Sequence, residues 1–142
     1  MLSATISLNL GTVLYMQHQS DKALTLYREA LAFYERIGAK RGIALACNNL
    51  GDLWWRDGHG DWNEANTYWQ RAQRLYEEVG DQAGLALTLR NLGEAHVQLG
   101  QFDTAEPILR RARALADALD DQEMRDDVDR NLAQLWAASQ AA

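Results

Sequence analysis

The chain is short of several things, and each shortage excludes something. Its one cysteine, Cys47, allows neither a disulfide framework nor a cysteine-rich metal site. Its one proline, Pro107, and a composition led by alanine and leucine leave it free to be helical nearly throughout. No sustained alternation of β-branched residues between turns marks a strand. No apolar run approaches the roughly 20 residues needed to cross a bilayer, so no membrane partner is expected. Residues 1–9, Met-Leu-Ser-Ala-Thr-Ile-Ser-Leu-Asn, lack the basic start and apolar stretch of a signal peptide, and a cytoplasmic setting is expected. Positive charge is scarce too: 14 Lys and Arg stand against 20 Asp and Glu, a net charge of −6. That balance excludes a basic stripe for neutralising phosphates, so no nucleic-acid partner is expected. Phosphate-binding loops, metal-ligand spacings and nucleophile elbows are missing as well. The chain is therefore read as no enzyme, with no catalytic residue, metal or cofactor.

What is present is repetition. Asn-Leu-Gly occurs at 9–11, 49–51 and 91–93, with a near copy, Asn-Leu-Ala, at 131–133. In phase with it run Ala23, Ala65 and Ala105, each followed seven residues later by Ala30, Ala72 and Ala112. Periods of 40 and 42 residues are the mark of one supersecondary unit stacked on copies of itself. Stacked units build extended binding surfaces more readily than catalytic clefts.

Each unit reads as two helices and a turn. In the third, Leu85, Leu89, Leu92, Gly93 and His96 fall on one helical stripe. A break at Leu99-Gly100-Gln101-Phe102 precedes Asp103, which with Glu106 resembles a capping box, and Pro107 is expected in the first turn. Asp21 and Asn63 hold the equivalent capping slots. Gly38 and Gly80 suit left-handed helix ends, and residues 38–42 and 80–84 link one unit to the next. The middle unit carries two extra residues near Gly58-His59-Gly60, a surface loop in which His59 has no clustered partner and is read as bland. The chain is thus one domain over 1–142, with repeats at about 3–38, 42–80 and 84–119 and a capping helix at about 121–139, rich in solvent-facing aspartate.

These residues resemble the tetratricopeptide repeat, whose pattern is Trp-x2-Leu-Gly-x2-Tyr followed by Ala-x3-Phe and Ala. The second unit reads Cys47, Leu50, Gly51, Trp54, Ala65, Trp69 and Ala72. The third reads Leu89, Leu92, Gly93, His96, Ala105, Leu109 and Ala112. The first is looser: Ser7, Leu10, Gly11 and Leu14, then Ala23, Tyr27 and Ala30. The resemblance implies an all-α, right-handed α-solenoid of three helix pairs plus a C-terminal capping helix. The long period and the asparagine before Leu-Gly look like the repeats of kinesin light chains and of bacterial regulators. Receptors of this family for chaperone tails hold a carboxylate with Lys and Asn; of Leu8, Thr12, Asn49, Leu87 and Asn91 here, only Asn49 fits.

The resemblance also implies a concave groove lined by the first helix of each repeat, with a protein or peptide as partner. The residues expected there are Asn9, Tyr15, Asn49, Asp52, Trp55, Arg56, Arg90, Asn91, Glu94, Arg130 and Asn131. The asparagines are weak helix formers at one repeat position, and an amide that donates and accepts can pair with a peptide backbone or bridge neighbouring helices. Trp54 matches a core slot, which leaves Trp55 as an exposed anchor or folded over the turn beside it. Arg90 can receive an acidic group or pair with Glu94 four residues on. Two further readings stand beside the groove. One is a homodimer through the first helix, whose Leu2 and Ile6 have nothing before them. The other is a sensor segment of a larger regulator.

Overall fold

The computed structural model describes residues 3–57 and 60–141. Seven helices with short turns account for them. Helices α1 (Ala4–Met16), α2 (Ser20–Ile37), α3 (Lys40–Arg56) and α4 (Trp62–Val79) lie in one compact unit, Met1–Val79. Helices α5 (Gln82–Gln98), α6 (Phe102–Ala118) and α7 (Gln122–Ala141) lie in a second, Gly80–Ala142. In the first unit α1 packs on α2, α2 on α3 and α3 on α4, and α1 also touches α3. In the second, α5 packs on α6, α6 on α7, and α5 also touches α7. The fold is an all-α helical repeat.

Small residues let each pair close. Ala23, Ala30, Ala65, Ala72, Ala105 and Ala112 are all fully buried. A Cβ on Gly11 would stand 2.7 Å from Cε1 of Tyr27, and Gly93 lies against Leu109 in the same manner. Large residues then fill the space that the small ones leave between the helices, as close packing requires. Tyr27, Trp69 and Leu109, equivalent on the three second helices, are all buried.

The helix starts differ from the sequence expectation. Asp21, Asn63 and Asp103 are each the second residue of their helix rather than its cap. Helices α2 and α6 follow Gln19 and Gln101, neither of which makes a side-chain cap. The reason lies in the preceding turns: His18 and Gly100 take left-handed backbone conformations that close α1 and α5 and bring the next helix on early. Asp21 and Asp103 then act through their charge on the first turn. Side-chain caps come from Ser3, Asp61, Asp81 and Asp121, which accept from the N–H groups of Ile6, Glu64, Gly84 and Met124. Pro107 is the sixth residue of α6, beyond its first turn. The N–H it lacks would have gone to Asp103, a solvent-exposed residue.

Gly38 and Gly80 have φ of 68° and 74°, the left-handed geometry expected of them. In the third link Asp120 takes it instead, at φ 52°. The links are shorter than the glycines suggested, because α3 starts at Lys40 and α5 at Gln82. Gly42 is already helical, and the ring of Tyr34 lies where its side chain would be. Leu2, Gly58 and His59 lie outside the described residues.

Candidate functional site

In the first unit, Asn49, Asp52 and Arg56 follow one stripe of α3, separated by three and four residues. Asp52 accepts a bond from Nε of Arg56 at 2.6 Å, and both side chains remain partly open to solvent. Tyr15 on α1 is half-buried beside them. Its burial, and after that the carboxylates of Asp52 and Asp57, push its phenol well above the usual tyrosine range, so it stays a hydroxyl donor. Asp57 accepts from the hydroxyl of Ser20, tying the end of α3 to the start of α2. Thr12 donates to the Leu8 carbonyl at 3.0 Å, and its hydroxyl lies 3.1 Å from that of Tyr27. The face thus offers a phenol, an amide and a paired carboxylate and guanidinium, groups that both donate and accept hydrogen bonds.

Trp55 is not a free anchor. It is half-buried and meets Trp62 edge to face, with ring centroids 5.9 Å apart and planes at 80°. A Cβ on Gly60 would stand 3.8 Å from its Cζ3. The ring is therefore held over the turn between α3 and α4, the folded alternative of the two that the sequence allowed.

The four asparagines of the repeat differ in setting. Asn9 is exposed, and it stands six residues from Tyr15, about 240° round the helix, so the two do not share a face. Asn49 is half-buried. Asn91 and Asn131 are only 3% and 7% exposed. Asn91 Oδ1 accepts from Nη2 of Arg90 at 3.0 Å. Asn48, the neighbour of Asn49, is buried too.

In the second unit Arg90 reaches from α5 to α7, where its Nη1 donates to Asp127 Oδ2 at 2.9 Å. The other oxygen of Asp127 accepts from Arg130 at 3.0 Å. Two arginines thus hold one carboxylate, with Arg130 mostly exposed and Arg90 mostly covered. Glu94 lies half-buried on the same helix as Arg90. Sequence reasoning did not find Asp127, since nothing in the repeat register marks it and its partner lies 37 residues away. The aspartates of α7 are not all mere solvent-facing charge either. Asp129 accepts from Arg113 of α6 at 2.8 Å. A cleft of about 360 Å³ between α1 and α2, lined by Ser7, Glu29, Phe33 and Arg36, was also not legible from the sequence.

His96 and Cys47 serve packing. His96 is nearly buried, with Nδ1 2.7 Å from Oε1 of Gln101. Burial pushes the Cys47 thiol up to about 11, which keeps it protonated and unreactive at neutral pH. Among the described residues no group of three His, Cys, Asp or Glu is placed to hold a metal ion, and no helix is long and apolar enough to cross a membrane.

Two family models, each described as tetratricopeptide repeat, match residues 3–37 and 58–118. No curated protein matches the chain.

Proposed function

The chain belongs to the tetratricopeptide repeat family, whose members generally serve as protein-interaction scaffolds, and on that premise we propose that it is a peptide-binding module. Each unit carries its own face, on α1 and α3 in the first and on α5 and α7 in the second. In the first unit it comprises Tyr15, Asn49, Asp52 and Arg56, bounded by the Trp55–Trp62 pair. In the second it comprises Arg90, Glu94 and Arg130. Asn91 and Asn131, buried behind that face, position it rather than touch the peptide. The observation that carries this reading is the Asn49–Asp52–Arg56 stripe: polar, partly open, and facing a phenol that stays protonated. The net charge of −6 weighs against nucleic acid as the ligand, and the single buried thiol is in keeping with a cytoplasmic setting.

Selection of a displayed random-peptide library on the immobilised protein tests this. Enriched peptides should lose at least tenfold in affinity for a Tyr15→Phe, Asp52→Ala, Arg56→Ala variant that keeps its helical circular dichroism. No enrichment, or unchanged affinity in the variant, would count against the proposal.

A further inference from the structure

Helix α1 carries an exposed apolar stripe. Ile6, Leu10 and Val13 are 52%, 40% and 48% exposed. They lie four and three residues apart, on one side of the helix. The residues one repeat on are Ala46, Leu50 and Leu53 of α3, all buried, and α3 packs on α2, the helix just before it. Their counterparts in α7 are Val128, Leu132 and Leu135, also buried, and α7 packs on α6. The repeat thus uses these positions for helix-to-helix contact, and in α1 they hold large apolar side chains that stand exposed.

Charge says what fits there. Residues 4–16 contain no Asp, Glu, Lys or Arg, and α1 is the one described helix without them, in a chain of net charge −6. A charged surface laid on this stripe would lose water and gain no partner. The complement must itself be an uncharged apolar helix face, and α1 of a second copy is such a face. Two acidic copies also approach with least repulsion where neither bears charge. The stripe suits its own reversal: with the helices antiparallel about a twofold axis near Leu10, Ile6 of each meets Val13 of the other.

We propose that the Ile6–Leu10–Val13 face of α1 is a homodimer contact, occupied by the same face of a second copy. It is independent of the peptide face, since it uses another side of α1. A contact built on three side chains is small, so the dimer is weak and dissociates on dilution. Because the contact is isologous it closes at two copies.

Sedimentation equilibrium over a wide concentration range tests it. The mass should rise from 16.0 kDa toward twice that value and no further. A Leu10→Glu variant should stay monomeric throughout, while Leu10→Met should dimerise as the wild type does. Should Leu10→Glu lose its helical circular dichroism, Leu10→Cys replaces it. Under mild oxidation that variant should form a disulfide-linked dimer, whereas the wild type, whose only thiol is buried, should not. A concentration-independent monomer would overturn the proposal. So would a mass that grows past the dimer, association that survives Leu10→Glu, or no cross-linking of Leu10→Cys.

Discussion

Gly51 of α3 lies directly beneath the indole of Trp69 on α4: a Cβ at residue 51 would stand 2.5 Å from Cδ1 and 2.6 Å from Nε1. Trp69 is itself fully buried, so the ring has nowhere to withdraw. The closeness of the two helices rests on a side chain that is not there.

Gly51→Ala should therefore destabilise the protein, although alanine favours a helix by about 1 kcal/mol over glycine. Overpacking of this kind costs about 1–3 kcal/mol, and the net loss should be read as a lower urea midpoint with an unchanged m-value. Equal or higher stability would show that the helices can part at no cost.

The arginine bridge of the second unit has its own test. Arg90 donates both to Asp127 and to Asn91, so Arg90→Ala should lower stability by about 1–2 kcal/mol. A double-mutant cycle with Asp127→Ala should return a coupling of about 1 kcal/mol, larger than an exposed pair gives. Zero coupling would reduce the bridge to a surface contact.

The asparagines should separate by burial. Asn9→Ala, at an exposed helix position, should leave stability unchanged or raise it by up to about 0.5 kcal/mol. Asn91→Ala removes a buried acceptor of Arg90 and should cost about 1 kcal/mol. Thermal unfolding of the two variants side by side decides it. Equal effects would mean that the amide at this repeat position plays one role throughout.

Alkali should destabilise the fold. Burial holds the Cys47 thiol at about 11 against an ordinary value of 9.0, and it raises Tyr15, Tyr27 and Tyr68 as well. These groups ionise more readily in the unfolded chain, which therefore binds fewer protons, so stability falls as pH rises. The Cys47 part is present in full below pH 9 and is lost between there and about 11, on the order of 2 kcal/mol. Unfolding midpoints at intervals from pH 8 to pH 11 should decline, and less steeply for Cys47→Ala. A flat profile would mean that these groups are as accessible to hydroxide folded as unfolded.

Much of the fold was legible because periodicity is a one-dimensional signal. Asn-Leu-Gly and the paired alanines mark the helix pairs, and Gly38 and Gly80 mark helix ends that only a left-handed residue closes without strain. Helix starts were less legible: Asp21, Asn63 and Asp103 look like caps, but the preceding left-handed turn decides where the next helix begins. The candidate site was legible only as a set of repeat positions. Trp55 had two readings because adjacent tryptophans diverge round a helix, and only the position of Trp62 across the turn chooses between them.

By itself, then, the sequence determined that this chain is an all-α helical repeat and which small residues lie at the crossings, since these follow from spacing along one helix. Tertiary structure alone decided which of four equivalent asparagines are buried, that Arg90 answers to Asp127, and that Ile6, Leu10 and Val13 are left open while their counterparts are covered. Each of these depends on which helix lies against which, and a repeat carries the same residues into different surroundings. Position in the repeat fixes the direction of a side chain, but only the neighbouring helix decides whether it meets protein or water.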